Sequence, residues 1–125
     1  MKTIISTTSA PAAIGPYSQA VEANGILFIS GQLPINPSTG KIETNNITDQ
    51  TEQVFANIKA ILAAAGYGFD HVVKSSVFLG DITDFVSMND VYKRFYQSDC
   101  PARSAYAVKE LPLGALVEIE TIAIK

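Results

Sequence analysis

Two stretches of the 125-residue sequence are apolar without interruption, and they constrain the fold more than any other feature. Residues 26–29 read Ile-Leu-Phe-Ile, and residues 77–79 read Val-Phe-Leu. Successive side chains of a β-strand point to opposite faces of its sheet, so an unbroken apolar run is typical of a strand that is buried on both faces. The sheet that contains these strands is therefore expected to be covered on each side.

The rest of the sequence predicts two helices, extends the second apolar run to a longer strand and adds two further strands. Thr48 is the predicted N-cap of the first helix, Gly66 its end, and Thr83 the predicted N-cap of the second. Apolar residues at spacings of three and four mark the inner faces of the two helices: Val54, Phe55, Ile58, Ile61, Leu62 and Ala65 in the first, and Phe85, Met88, Val91, Tyr92 and Phe95 in the second. Strands are predicted at 72–79, 103–108 and 116–124, and residues 7–19 are predicted to be irregular. This order indicates one α+β or α/β domain over residues 1–125, with a single mixed sheet.

Two helices can cover only one face of such a sheet, and the chain has no further element for the other face. The pattern favours an oligomer in which other copies of the chain bury the second face. A sheet that curls and covers itself is the alternative.

Composition excludes several classes of function. The chain has nine Lys and Arg against twelve Asp and Glu, and its net charge of −3 argues against binding to nucleic acid or to anionic membranes. With one cysteine, Cys100, and one histidine, His71, we expect no internal disulfide framework, no Cys-based zinc site and no multi-His metal site. The N-terminal residues lack the apolar core of a signal peptide. A cytoplasmic protein is the expectation.

The closing strand carries two acidic side chains on one face. Glu118 and Glu120 share that face with Ile122 and Ile124, because side chains two residues apart in a strand point the same way. Both carboxylates could lie in water at a rim, or at least one could line a pocket where burial raises its pKa and suits it to proton transfer. The strand alone leaves both readings open. Arg103 could hold a substrate carboxylate, but an isolated arginine is more often an ordinary surface group.

Four segments together resemble the RidA (YjgF) family. Residues 10–19 read APAAIGPYSQ, residues 30–32 read SGQ, residues 101–104 read PARS, and residues 117–120 read VEIE. The resemblance covers essentially the whole chain, and the combined C-terminal pattern is specific to the family.

The resemblance implies a chorismate-mutase-like fold, in which a mixed β-sheet carries two helices on one face. It also implies a homotrimer with a site at each subunit interface. The activity it implies is hydrolysis of reactive enamines and imines to 2-keto acids and ammonia. The substrates are 2-aminoacrylate, 2-aminocrotonate and their 2-imino tautomers, and no cofactor is used.

The same resemblance assigns roles to individual residues. Arg103 and Glu118 would be the catalytic pair: Arg103 would grip the substrate carboxylate, and Glu118 would position or activate the attacking water. Tyr17 would line the pocket. Ser30 and Gly31 would contribute from the SGQ segment, Gly31 through its backbone. Asn89 matches a family asparagine near the site.

One position departs from the family pattern. Many members carry a cysteine two residues after the arginine, where this chain has Ala105. If that position contributes to substrate binding through its backbone N–H, catalysis survives the change. A role for a thiol at this position does not carry over to this chain.

Two other functions stay open from the sequence. The interface pocket could bind a small carboxylate for regulation without turning it over. RNA cleavage or inhibition of translation, attributed to members of the same family, is the third reading, and the acidic charge balance counts against it.

Overall fold

The computed structural model describes all residues from 1 to 125 and contains one six-stranded sheet and two α-helices. The strands are β1 (Thr3–Ile5), β2 (Ala20–Ala23), β3 (Ile26–Gln32), β4 (Val72–Leu79), β5 (Ala102–Ala107) and β6 (Val117–Ile124). The helices are α1 (Ile47–Ala65) and α2 (Phe85–Phe95). The strands predicted at 72–79, 103–108 and 116–124 are thus present to within one residue at each end. Neither helix combines the length and the apolar character that crossing a membrane requires.

The sheet is mixed, as the sequence predicted. Its strand order is β1-β2-β3-β6-β4-β5, and only the β4–β5 pair is parallel. Strand β6, the last in the chain, lies in the middle of the sheet between β3 and β4. Strand β5 lies at one edge, so half of its backbone hydrogen-bonding groups are not used within the sheet.

Helix α1 begins two residues earlier than Thr48 would place it. Its N-cap is Asn46, whose side-chain oxygen accepts a hydrogen bond from the backbone N–H of Asp49 at 2.9 Å. Asparagine is at least as effective as threonine at an N-cap, and Thr48 is the second residue of the helix. The predicted end is correct, because Gly66 adopts the left-handed conformation, with φ of 79°, that closes the helix.

The predicted cap of the second helix is also wrong. Thr83 lies within a short 3₁₀ turn, Ile82–Asp84, and its backbone N–H donates to the Asp81 side chain at 2.9 Å. Asp81 therefore caps this turn, and α2 begins only at Phe85. Aspartate competes well with threonine for exposed backbone N–H groups, and here it does so two residues earlier in the chain.

The hydrophobic core lies between the helices and one face of the sheet. Along β6, Val117, Ile119, Thr121 and Ala123 are buried, whereas the alternate side chains are half-buried or exposed. We call the face opposite the helices the open face. It carries exposed apolar side chains, including Phe28, Tyr106 and Ile124, each with about half of its surface in solvent. The expected uncovered apolar face is therefore present.

Residues 7–19 are irregular, as predicted, and one buried side chain holds them in place. The Gln19 side chain is 5% exposed; its Oε1 accepts from the Thr7 N–H at 2.7 Å. Its Nε2 donates to the carbonyl oxygens of Thr7 at 3.0 Å and Pro11 at 2.8 Å. The segment has no strand ladder of its own, so this amide supplies the hydrogen bonds that fix its path.

Candidate functional site

Arg103 lies on edge strand β5 and points to the helix side of the sheet. In the β4–β5 register it is paired with Ser75, which is fully buried beneath the helices. Because paired residues of neighbouring strands point to the same face, Arg103 shares that side. The side chain is half-buried and reaches α2.

Three side chains of α2 fix the guanidinium. Arg103 Nη1 donates to Oδ1 of Asn89 at 2.7 Å. The Arg103 Cζ atom lies 4.7 Å from the ring centroid of Tyr92 and 5.3 Å from that of Phe85. These three residues are spaced at four and three along α2, which places them on one face of the helix. The guanidinium is therefore held by one hydrogen bond and by aromatic contacts.

No carboxylate neutralises Arg103. The ion pairs of the chain involve other residues, such as Arg94 with Glu52 at 3.1 Å and Lys93 with Asp90 at 3.3 Å. An arginine has five N–H donors, of which Asn89 takes one. Arg103 lines a surface cleft of about 440 Å³, and the other lining residues include Tyr92, Lys93, Tyr96, Cys100 and Pro101. A half-buried, unpaired guanidinium in a cleft is suited to bind a small carboxylate.

Glu118 lies on the open face in the middle of the sheet. Burial raises the pKa of its carboxyl group above the ordinary value, and the neighbouring charge of Glu120 raises it further. In the strand registers Glu118 is paired with Phe78, which in turn is paired with Tyr106. None of the side-chain hydrogen bonds or ion pairs within the chain involves Glu118. Of the two carboxylates that share this face, Glu118 is half-buried and Glu120 is exposed.

Gly31 lies directly against the Glu118 carboxyl group. Strand β3 advances three residues, from Ile29 to Gln32, while β6 advances two, so β3 carries a bulge of one residue at this point. A Cβ atom at Gly31 would lie 2.9 Å from Glu118 Oε2, closer than real Cβ contacts allow. The bulge and the missing side chain together make room for the carboxylate.

Tyr17 lies near the same part of β3. Tyr17 and Gly31 line one cavity of about 270 Å³, together with apolar residues that include Ile14, Ile35 and Leu113. Tyr17 has 54% of its surface exposed, and its hydroxyl oxygen accepts a long hydrogen bond from the Ile14 N–H at 3.4 Å.

Ser30 has a structural task within the chain. Its hydroxyl donates to the carbonyl oxygen of Ser18 at 2.6 Å, and its backbone N–H donates to the Gln19 carbonyl at 3.0 Å. The hydroxyl oxygen can still accept a hydrogen bond from a ligand. Ser30 thus joins the irregular segment to the bulge of β3.

The site residues expected from the sequence fall into two separate groups within one chain. Arg103 and Asn89 are together on the helix side of the sheet, and Ala105 follows Arg103 on the same side of β5. Gly31 and Glu118 are together near Tyr17, with Glu118 on the open face. Strand β4 separates the two groups, and the two strand spacings from β5 to β6 amount to about 10 Å. One copy of the chain does not bring Arg103 and Glu118 to one point.

Sequence reasoning missed two residues that shape these groups. The sequence presents Gln19 only as part of a motif, whereas in the structure its side chain organises the segment that carries Tyr17. The helical spacing of Tyr92 predicts a core residue, whereas its ring also lies beneath Arg103. The i, i+3 spacing of Asn89 and Tyr92 on α2 is the signal that could have linked them. The described chain also contains no cluster of three His, Cys, Asp or Glu side chains suited to a metal ion.

Comparison with known proteins finds relatives over the full length of the chain. A family model described as Endoribonuclease L-PSP matches residues 7–125. A 2-iminobutanoate/2-iminopropanoate deaminase of Capra hircus is 50% identical over 125 residues, which is all of this chain and 91% of that protein. The Homo sapiens protein of the same name is 45% identical, with the same coverage.

Solved structures agree with this similarity. A protein of the conserved Rid family from Yersinia pestis, YyfA, superimposes with a TM-score of 0.98 at 49% identity, over all of both chains. E. coli TdcF, crystallised with bound serine, superimposes with a TM-score of 0.93 at 42% identity, over 98% of each chain.

Proposed function

The chain belongs to the Endoribonuclease L-PSP (RidA/YjgF) family, and from this premise we propose that it hydrolyses small 2-imino acids to 2-keto acids and ammonia. The substrates would be 2-iminopropanoate and 2-iminobutanoate, the tautomers of 2-aminoacrylate and 2-aminocrotonate. The relatives named 2-iminobutanoate/2-iminopropanoate deaminase support this assignment.

The unpaired guanidinium of Arg103 is the observation that carries the proposal. A 2-imino acid presents one carboxylate, and a guanidinium can bind it through two parallel N–H···O hydrogen bonds. Asn89 accepts from only one donor, at 2.7 Å, and no acidic side chain competes for the others. The cation is therefore already oriented before a substrate arrives, which reduces the entropy lost on binding.

Glu118 is the proposed general base and acid. A carboxyl group transfers protons most effectively when its pKa lies near the working pH, and burial and the charge of Glu120 both raise the pKa of Glu118 in that direction. The absence of a hydrogen-bond partner within the chain leaves its oxygens available to a water molecule.

The separation of the two groups leads us to propose a site shared between two copies of the chain. Arg103 would come from the edge strand of one copy and Glu118 from the open face of another. The exposed apolar side chains of that face, such as Phe28 and Ile124, give a physical reason for the copies to associate. A homotrimer, the assembly that the family resemblance implies, would provide such an interface for each copy.

The reaction then needs only positioning and proton transfer. Arg103 holds the carboxylate, and the oxygen of a water molecule bonds to the imine carbon while Glu118 accepts one of its protons. The electron pair of the C=N bond moves to nitrogen, which takes that proton from Glu118, so that a carbinolamine forms. Glu118 then accepts the proton of the new hydroxyl group and passes it to the nitrogen as the carbonyl forms and the C–N bond breaks. Ammonia and the 2-keto acid leave, and Glu118 is again a carboxylate.

The remaining residues would shape the pocket. Tyr17 would lie against the substrate, and the backbone of Gly31 and the Ser30 hydroxyl oxygen would contribute polar groups beside the attacking water. The backbone N–H of Ala105, on the edge strand, would provide a further donor to the carboxylate. Asn89 would keep Arg103 in its orientation.

Replacement of Arg103 tests this function directly. A lyase that acts on threonine or serine generates the imine in situ, and the release of keto acid is followed with and without the protein. Arg103→Ala should abolish the acceleration while the size of the assembly stays unchanged. Arg94→Ala is the matched control, because Arg94 is an exposed arginine paired with Glu52. An Arg103→Ala variant as fast as wild type would refute the proposal.

Binding of a small carboxylate without turnover is the second candidate function. It is supported by the crystal structure of TdcF, a similar protein, with bound serine. The same guanidinium would hold a small carboxylate as a regulatory ligand. Titration calorimetry with 2-ketobutyrate, beside the turnover assay, separates the two functions. Binding with no acceleration of imine hydrolysis would support the second candidate over the first.

A further inference from the structure

Tyr92 has a place in the site that the family resemblance did not assign to it. Its side chain is 6% exposed, and its ring lies beneath the Arg103 guanidinium, with 4.7 Å from Cζ to the ring centroid. Asn89, three residues earlier on the same helix face, accepts the hydrogen bond from Arg103. The two residues therefore contact the guanidinium from the same helix, one through an amide oxygen and the other through a ring.

The ring of Tyr92 is itself immobilised. Its centroid lies 4.8 Å from that of Tyr96 and 5.7 Å from that of Phe55, both of which are buried. Its hydroxyl is buried near Ser75, the residue paired with Arg103 in the β4–β5 register. Burial raises the pKa of the Tyr92 phenol, and the adjacent Ser75 hydroxyl and the charge of Arg103 oppose that rise. Tyr92 is thus fixed by the packing of its ring, and its hydroxyl is buried.

We propose that Tyr92 is a positioning residue for Arg103, and that it orients the guanidinium towards a bound carboxylate. This inference rests on the proposed function. An aromatic ring attracts a cation through its face and takes none of its N–H donors, whereas a carboxylate in the same place would occupy the donors and cancel the charge. Tyr92 therefore restrains a long, flexible side chain on an edge strand and leaves its donors to the ligand.

Two substitutions separate the ring from the hydroxyl. Tyr92→Phe keeps the aromatic face and should retain wild-type affinity for 2-ketobutyrate to within about two-fold in titration calorimetry. Tyr92→Leu removes the face and should weaken that affinity by roughly 3- to 30-fold, the range that a partly buried cation–π contact corresponds to. KM for the imine generated in situ should rise in parallel, while kcat changes much less. Tyr92→Met replaces Tyr92→Leu if the latter does not fold.

Tyr67→Leu is the matched control. Tyr67 is also 6% exposed and lies beneath a cation, with Lys125 Nζ 5.0 Å from its ring centroid, but it contacts neither site group. This variant should lower the melting temperature without changing the affinity for 2-ketobutyrate, as a merely structural tyrosine would.

Two results would overturn the inference. One is a Tyr92→Leu protein that binds 2-ketobutyrate as tightly as wild type, and the other is a Tyr92→Phe protein that loses as much affinity as Tyr92→Leu. In both cases the proposed function would still stand if the wild-type protein accelerates imine hydrolysis. A wild-type protein that neither binds 2-ketobutyrate nor accelerates imine hydrolysis would overturn both.

Discussion

One added methyl group at Gly31 tests the role of Glu118 without removing its carboxylate. The Cβ of Gly31→Ala would lie 2.9 Å from Oε2, 3.0 Å from Cδ and 3.2 Å from Cγ of Glu118. Ordinary contact between carbon atoms is about 3.5–4.0 Å, so the carboxyl group must move by about 0.5–1 Å. A displacement of that size at a catalytic group costs up to about 100-fold in rate. We therefore expect the rate of imine hydrolysis to fall by about 10- to 100-fold.

The fold should tolerate this change. The clash is with the end of a flexible side chain, so the free energy of unfolding should fall by no more than about 1 kcal/mol. Gly68→Ala is the matched control, because its Cβ would lie 2.7 Å from Oδ1 of the exposed Asp70 carboxylate, away from both site groups. Turnover is measured in the lyase-coupled assay and stability by urea denaturation. A Gly31→Ala protein with the wild-type rate, or a Gly68→Ala protein that loses the same activity, would refute the reasoning.

Three further predictions concern the irregular segment 7–19, the carboxyl group of Glu118 and the open face. Gln19→Ala should lower the free energy of unfolding in urea by about 2–3 kcal/mol, since the four hydrogen bonds of the buried amide are lost. A loss under about 0.5 kcal/mol would contradict this prediction. Burial and the Glu120 charge raise the pKa of Glu118, so its ionisation destabilises the fold as pH rises from its ordinary pKa to the raised one. Glu118→Gln should therefore raise the melting temperature at pH 7 but not below about pH 4, and it should also abolish turnover because the proposed base is lost. Equal shifts of the melting temperature at both pH values would argue against a raised pKa. Phe28→Glu should shift the protein to monomers in light scattering and abolish turnover, and an unchanged mass would exclude the open face as the interface.

The periodicity of the sequence predicted most of the fold. Helix faces, four of the six strands and the uncovered apolar face follow from where apolar residues recur, because these residues are the ones that the fold buries. The short strands β1 and β2 were not predicted. The helix starts did not follow. The free backbone N–H groups donate to Asn46 and Asp81, not to Thr48 and Thr83. Several side chains able to accept such a hydrogen bond lie within two residues of each start, so the sequence does not single one out.

The site was harder to predict than the fold, because it depends on strand register. The alternation along β6 was enough to place Glu118 and Glu120 on one face. The orientation of Arg103 towards the helices follows only from its pairing with Ser75, and a shift of one residue would reverse it. The bulge beside Gly31 also depends on pairing. The shared face of Glu118 and Glu120 was therefore predictable, and the division of the candidate residues into two groups was not.

Complementation between two inactive variants tests the shared site most directly. Arg103→Ala and Glu118→Gln are each assayed alone, and then after co-expression in equal amounts, so that mixed assemblies form. If Arg103 of one copy works with Glu118 of another, about one-quarter of the sites in a random mixture receive both intact residues, since each contributing chain is chosen independently. We predict that the mixture recovers about one-quarter of wild-type turnover. A mixture no more active than its separate components would contradict a site built from two copies of the chain.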